Sequence, residues 1–304
     1  ERRFLETGKP EGLTCIHALG IGDRESRGMN RFAHEGMVRR VIGGHWVWSP
    51  RMQQLARENK IEAYVLPGGV IMQLMREVAA KRPGLITHVG LGTFVDPQKD
   101  GGRMNEAAQD PLVERITIDG QQYLRYLPLP VDVALLKGST ADEDGNISLE
   151  EEPANLDIYA MAAAAHNSGG KVIFQVRRKV PRGKLSARSV RIPSAIVDMV
   201  VVDPDQRQSY EIVYDPSISG EQRDDQLSLE APDFSLRLAI ARRAKTELRE
   251  GDVINFGFGI PDQIASMLAA EGTDERYYQT IEHGTYGGKL LTGTLFGYAR
   301  NPVS

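Results

Sequence analysis

The sequence predicts an α/β protein of mostly parallel sheets with flanking helices, and three observations carry that expectation. Short apolar runs of strand length alternate with segments of helical period. Several of those runs end in glycine-rich turns, the position at which open α/β sheets bind ligands beyond the carboxyl ends of their strands. The composition is that of a globular chain, 41% hydrophobic and 26% charged over 304 residues, which supplies a real core and excludes a wholly disordered chain. The length points to about two domains.

The elements follow in order. Leu13-Thr14-Cys15-Ile16-His17-Ala18 is an apolar run that ends in Gly20, Gly22 and Asp23, a buried strand feeding a loop. Ser49 and Pro50 open a helix over 49–59, with serine as the cap and proline at the first helical position. A strand over 61–66 leads through Pro67-Gly68-Gly69 into a helix over 70–80, whose Val70, Ile71, Leu74, Met75 and Val78 share one face; Pro83-Gly84 stops it. A strand over 85–89 precedes a glycine-rich loop over 90–102.

The middle section turns antiparallel, because 113–118 and 121–126 flank Asp119-Gly120, a two-residue hairpin signal. A buried strand is expected over 131–137, a turn over 142–146 into Ile147-Ser148-Leu149, and an alanine-rich helix over 155–167 closed by Gly169-Gly170. Strands follow over 171–176 and 196–202, the second closed by Asp203-Pro204. The stretch 206–232 is polar and irregular and is the linker candidate. Beyond it Asp233 caps a helix through Glu250, ended by Gly251. A strand over 252–256, a tight loop Gly257-Phe258-Gly259-Ile260-Pro261, a helix over 262–270 and a strand over 277–281 then deliver Glu282. The expected domains are 1–205, the linker 206–232, and 233–304.

Composition narrows the function. A net charge of −4 offers no basic excess for gripping a nucleic-acid backbone. One cysteine, Cys15, excludes an intramolecular disulfide framework and a cysteine-built metal site, and fits a reducing, cytoplasmic setting. The histidines at 17, 34, 45, 88, 166 and 283 lack HxxxH or HxH spacing, against a zinc site. No apolar run reaches the roughly 18 residues a bilayer span needs, and the charged Glu1-Arg2-Arg3 start does not read as a signal peptide. Glycine is frequent, 31 of 304 residues, against an average of about 7%.

Three glycine-rich segments are candidate chemistry. In Thr280-Ile281-Glu282-His283-Gly284-Thr285-Tyr286-Gly287-Gly288 a carboxylate stands at a strand end while glycine backbone leaves room for a ligand. Glu282 there is a nucleophile or general base, or equally an ordinary exposed carboxylate beside a flexible turn. His283 is adjacent, and adjacent strand residues face opposite ways, against direct cooperation. The Gly257–259 loop can aim backbone amides at an anion or a carbonyl oxygen, or serve as a packing turn. It lacks the third glycine of a dinucleotide fingerprint, and Asp262 stands where a pyrophosphate would sit. Pro67-Gly68-Gly69 is open to the same two readings. Asp142-Glu143-Asp144-Gly145-Asn146 superficially matches a calcium loop, but its glycine is misplaced and it reads as a hairpin turn. Cys15, in an apolar strand, reads as an inert thiol.

The motifs taken together resemble the family I coenzyme A transferases, of the long single-chain acetate/propionate type with fused α- and β-like halves. The resemblance is carried by Gly22-Asp23-Arg24 through Arg27-Gly28, Gly43-Gly44-His45-Trp46, Thr93-Phe94-Val95-Asp96-Pro97, Gly101-Gly102-Arg103-Met104-Asn105, Ser189-Val190-Arg191-Ile192-Pro193 and Val202-Asp203-Pro204-Asp205-Gln206. Gly257-Phe258-Gly259-Ile260-Pro261 is similar to the family's G-x-G-x-P loop, and the segment 282–288 to its E-x-G-x-x-G-G active-site segment. The resemblance implies the isomerase-like transferase fold in two related halves, the second incomplete, with a family strand and loop expected before Glu1 and further glycine-rich segments after Ser304. The family usually has P-Q-G where this chain has Pro67-Gly68-Gly69; the backbone donor survives at Gly68 and the glutamine side chain does not.

On that resemblance Glu282 is the nucleophile of a ping-pong exchange of coenzyme A between a short-chain acyl-CoA and a carboxylic acid, through a glutamyl-CoA thioester. Gly68, Gly257, Gly259, Gly284, Gly287 and Gly288 are candidates for holding the oxyanion or coenzyme A. The implied setting is short-chain acyl-CoA and fatty acid metabolism, in a cytoplasmic homo-oligomer. No metal and no tightly bound cofactor are implied, coenzyme A being substrate, and neither nucleic acid nor membrane is a partner. Rival expectations are an acyl-CoA-binding protein without turnover, a sugar-phosphate isomerase of similar fold, and a purely structural subunit. The acyl group is not legible, since methylenes differ by only about 1–3 kcal/mol in a pocket.

Overall fold

The alternation that opens the sequence folds as a parallel sheet. In the computed structural model, which describes residues 1–224, 231–282, 284–292 and 295–303, a short helix α1 (Arg2–Thr7) precedes β1 (Leu13–His17). β1 pairs in parallel with β2 (Val38–Gly43), and β2 with β3 (Glu62–Val65). α2 (Pro50–Arg57) connects β2 to β3, and α3 (Gly68–Ala79) leaves β3. All five apolar residues expected on one face of α3 are buried, each burial stabilising by roughly 1.5–3 kcal/mol. Pro50 stands at the start of α2 as the sequence predicts, but Ser49 does not cap it through its side chain. The hydroxyl instead donates to the Trp46 carbonyl at 3.3 Å.

β4 (Leu85–Thr87) then pairs antiparallel with β6 (Gln121–Tyr126), which also pairs antiparallel with β5 (Val113–Ile118). Asp119 and Gly120 have φ of 50° and 78°, the two left-handed residues that a tight hairpin turn of this register requires. α4 (Ile158–Asn167) adds Ala160 and Ala164 to a core with Ile42, Leu66, Leu74 and Leu124. Glu1–Ala134 and Tyr159–Val172 make up this first unit; Leu135–Ile158 and Ile173–Ser304 make up the second.

The second unit carries β7 (Val133–Lys137, from Leu135), β8 (Thr140–Asp142), β9 (Ile147–Ser148), β10 (Lys171–Val176, from Ile173), β11 (Arg178–Val180), β12 (Val190–Ile192) and β13 (Met199–Val202). They build one sheet in the order β13-β10-β7 and another in the order β11-β8-β9-β12. β7 was expected to be buried, yet Leu135 is 65% exposed. β7 is an edge strand, and alternation turns Val133 and Leu135 to an open face while Ala134 goes inward.

Then come α5 (Pro216–Ser219), α6 (Leu236–Lys245), β14 (Val253–Asn255), α7 (Asp262–Ala270), β15 (Tyr278–Thr280), β16 (Lys289–Leu290) and β17 (Ala299–Arg300). β14 and β15 are parallel, β16 and β17 antiparallel. The expected cap of α6 moves from Asp233 to Ser235, whose hydroxyl oxygen accepts from the Leu238 amide at 3.0 Å, and regular helix ends at Lys245.

The stretch read from sequence as a linker is packed over 206–224. Gln206, Gln208, Ser209, Ser217 and Ile218 are buried. Its polar side chains bond carbonyls rather than water: Gln206 Nε2 donates to Gly138 O at 2.7 Å and Gln208 Nε2 to Glu151 O at 2.8 Å. Residues 225–230 of that stretch lie outside the described residues.

Candidate active site

Glu282 stands one residue beyond a buried anchor. β15 ends at Thr280, and Ile281, only 2% exposed, enters a core with Leu268, Leu290 and Ala299. The chain then turns back on itself. The Ile281 amide donates to Thr285 O at 3.0 Å, the Gly284 amide to Ile281 O at 3.0 Å, and Thr280 bridges Tyr286. Glu282 is exposed at the head of this turn, between buried Ile281 and buried Thr285. The Gly287 amide donates to Gln279 O at 2.8 Å, and the Val303 amide to Tyr286 O at 2.8 Å. An exposed carboxylate is thus carried by backbone fixed on both sides, which suits a nucleophile or base that must not wander. His283 lies outside the described residues.

Five of the six candidate glycines lie in the second unit and divide into three kinds. Gly287 and Gly288 permit close approach: a Cβ on Gly287 would come to 2.6 Å from Val303 Cγ2, and one on Gly288 to 2.8 Å from Asn301 O and nearer still to Arg300 O. Both have positive φ, 68° and 76°. Gly257 and Gly284 face open space, Gly284 at φ 98°. The Gly259 amide is engaged, donating to Asp262 Oδ2 at 3.1 Å. Asp262 is buried at the first residue of α7, so this amide serves the helix start.

Gly68 belongs to the first unit and is the first residue of α3. Amides in a first helical turn have no intrahelical acceptor and point outward. The carboxyl ends of β1, β2 and β3 converge there. A Cβ on Gly68 would come to 2.9 Å from Ala18 O, and one on Gly44 to 3.1 Å from Gly68 Cα. A side chain at position 68 therefore needs a local shift of this backbone.

Other motif residues are structural pins. Asp96, fully buried, accepts from Arg115 Nε at 2.8 Å and Nη2 at 2.6 Å, and from the Gly92 and Gln98 amides at 2.7 and 3.0 Å. The Arg115 guanidinium, with those amides, holds its carboxyl well below the usual carboxylate range. Asn105 accepts from the Ala63 amide and donates to the Ala56 and Ile61 carbonyls. Asp142 Oδ1 accepts from the Asp144 and Asn146 amides, which makes the 142–146 segment the turn between β8 and β9. Burial pushes the Cys15 thiol up to about 11. Among the described residues no group of three or more His, Cys, Asp or Glu side chains is placed to hold a metal ion.

Comparison with known proteins matches residues 6–203 to the family described as coenzyme A transferase. The chain is 41% identical over 297 residues to acetate CoA-transferase YdiF of Escherichia coli strain K12, covering 97% of this chain and 56% of that protein. It is 42% identical over 301 residues to caffeate CoA-transferase of Acetobacterium woodii, covering 98% and 57%. The crystal structure of acyl-CoA transferase YdiF from E. coli O157:H7, a thioester complex with CoA, superposes with a TM-score of 0.90 at 38% identity, covering 98% of this chain and 60% of that one. The chain therefore spans a little over half the length of the relatives it matches.

Proposed function

Because the chain belongs to the coenzyme A transferase family, we propose that the protein moves coenzyme A from a short-chain acyl-CoA to a carboxylic acid through a thioester on Glu282. The Glu282 carboxylate attacks the acyl carbonyl, the C–S bond breaks, and an acyl–glutamyl anhydride and CoA thiolate form. The thiolate attacks the glutamyl carbonyl, the anhydride C–O bond breaks, and the first carboxylate leaves. An incoming carboxylate runs the same steps in reverse and departs as the new acyl-CoA. One thioester replaces another, so the exchange is near balance and needs neither ATP nor a redox partner.

The observation that carries this reading is the placement of Glu282, exposed at the head of a turn anchored by buried Ile281 and closed by backbone hydrogen bonds. A carboxylate with an ordinary pKa of about 4.3 is a weak nucleophile in water. Orientation and oxyanion donors must supply the difference, and removal of one donor typically costs about 2.7–4 kcal/mol of barrier. The reading gives that role to the amide of Gly257, supported by the open space beside it. The amide of Gly259 is already held by Asp262, so it drops out of the oxyanion set.

The same reading places the protein in the cytoplasm, supported by its lone cysteine, and gives it a homo-oligomeric assembly with acyl-CoA and carboxylate as its partners. The 1–205 and 233–304 segments are then a transferase first half and the beginning of a second. The test is intact-mass spectrometry of the protein with its complete natural chain after incubation with acetyl-CoA. A CoA adduct mapped to Glu282, discharged by propionate or by an aryl-propenoate and lost in Glu282→Gln, is the expected result. Acetyl-CoA binding without an adduct overturns the nucleophile assignment, and the acceptor that discharges the adduct fastest identifies the substrate.

A further inference from the structure

The turn that carries Glu282 is backed by a strap, and the strap is tied to the polar stretch that the sequence presents as a connector. β17 pairs with β16 directly after the turn, and residues 300–303 run beside Tyr286, Gly287 and Gly288. Asn301 fixes that strap on its far side. Its backbone amide donates to Ser217 O at 2.7 Å. Its side-chain Oδ1 accepts from the Asp224 amide at 2.8 Å, and its Nδ2 donates to Asp224 O at 2.9 Å. One carboxamide thus satisfies both backbone groups of a single residue 77 positions away. Beside it, Arg300 Nε pairs with Asp215 at 3.1 Å.

The strap's support is anchored in turn. The Asp215 amide donates to Gln208 Oε1 at 2.6 Å, and Gln208 Nε2 donates to the carbonyls of Asp215 and Glu151 at 3.2 and 2.8 Å. Lys137 Nζ donates to the Arg207 and Gln208 carbonyls at 3.0 and 3.1 Å. Asn301 has φ 54°, a left-handed conformation that asparagine tolerates better than most side chains. Two features therefore coincide at this position, a backbone that few residues adopt and a carboxamide with both of its hydrogen-bonding ends used.

From this continuous path we infer that Asn301 is a positioning residue for Glu282, acting through the 299–303 strap, with Asp215 and Gln208 supporting it. This rests on the reading of Glu282 as nucleophile, since a positioned carboxylate matters only if it attacks. Misplacement of a reacting group by about 1 Å costs up to about a hundredfold in rate. Loosening the strap therefore reaches the chemical step although Asn301 touches no substrate. The clamp acts on turn geometry and leaves the binding of acyl-CoA unchanged.

The decisive variant is Asn301→Gly in the full natural chain, because glycine keeps the positive φ and removes only the carboxamide. Hydrogen exchange followed by mass spectrometry reads the clamp without reference to activity. Exchange in the peptide over 281–290 is expected to rise on the order of tenfold while the hairpin over 113–126 is unchanged. kcat falls about ten- to a hundredfold, and KM for acyl-CoA stays within about twofold. Asn301→Asp keeps the acceptor for the Asp224 amide, loses the donor, and gives an intermediate kcat; it also serves should the glycine variant fail to fold. A lowered Tm with unchanged kcat per folded molecule marks a merely structural role and overturns the inference, as does unchanged exchange in the turn. If the wild-type protein forms no adduct on Glu282 and the exchange still rises in Asn301→Gly, the nucleophile reading fails and the clamp stands.

Discussion

Two glycine-rich segments are held in place by opposite means. The loop over 90–102 is pinned from within by Asp96, which gathers the amides of Gly92 and Gln98; Arg115 pairs with that carboxylate from outside, and the Val65 amide donates to Gly102 O at 2.8 Å. The turn over 281–288 is pinned from without. Its glycines pack against 300–303, and those residues are tied to Ser217 and Asp224. In the first the carboxylate is the pin and is fully buried. In the second the carboxylate is the cargo and stands exposed, and backbone groups and a carboxamide do the holding. A loop that keeps its acid for structure spends the charge on Arg115, whereas a turn that presents its acid keeps that charge at the surface, and the ion pair of Arg300 with Asp215 lies behind the turn in the strap.

The sharpest break of the contrast is Glu282→Gln. Steady-state CoA transfer should fall at least about 10,000-fold, while Tm stays near wild type because an exposed side chain contributes within about 0.5 kcal/mol. Asp96→Asn should do the reverse, lowering Tm by several degrees through loss of the ion pair with Arg115 while the 281–288 turn is untouched. Its pH dependence has a definite sign. The Asp96 carboxyl is depressed in the folded state, so its contribution is whole above the unfolded carboxylate value of about 3.9 and is lost as pH falls from there toward the folded value. Acid unfolding followed by circular dichroism should therefore be less steep in Asp96→Asn below about pH 4, and an unchanged slope contradicts the pin.

Smaller changes separate the glycines. Gly288→Ala puts a Cβ against the Arg300 and Asn301 carbonyls at positive φ, which should destabilise by about 3 kcal/mol in a denaturant titration. Gly284→Ala meets no neighbour among the described residues and should cost only the backbone term, about 1 kcal/mol. Equal losses in the two would dissolve the distinction between a glycine needed for close approach and one needed for conformation.

Much of the chain was legible. α3 is marked by five apolar residues at helical spacing, the hairpin by Asp119-Gly120, and α7 begins and ends where the pattern places it. These signals are local, because each is set by the periodicity or left-handed tolerance of neighbouring residues. Glu282 was legible as a strand-end carboxylate followed by glycines, and its role only through resemblance. The 206–224 stretch read as a linker because glutamine and serine usually face water; here their amides and hydroxyls satisfy carbonyls beyond strand ends. The Asp215-Pro216 pair was a local signal for α5 that the polar composition masked, and Asp215 does accept from the Ser217 amide. β7 misled in the other direction, since apolar composition does not reveal which face of an edge strand is covered.

The sequence by itself determined the helix α3, the hairpin over 113–126 and the span of α7, which carboxylate follows the strand β15, and which residues carry the family's motifs. Tertiary structure decided which glycines are crowded and which stand open, that the Gly259 amide belongs to Asp262, and that Asn301 clasps Asp224. The reason is physical. Periodicity and capping are fixed within a few residues of chain, whereas a hydrogen bond between positions 77 apart exists only once the backbone has brought them together.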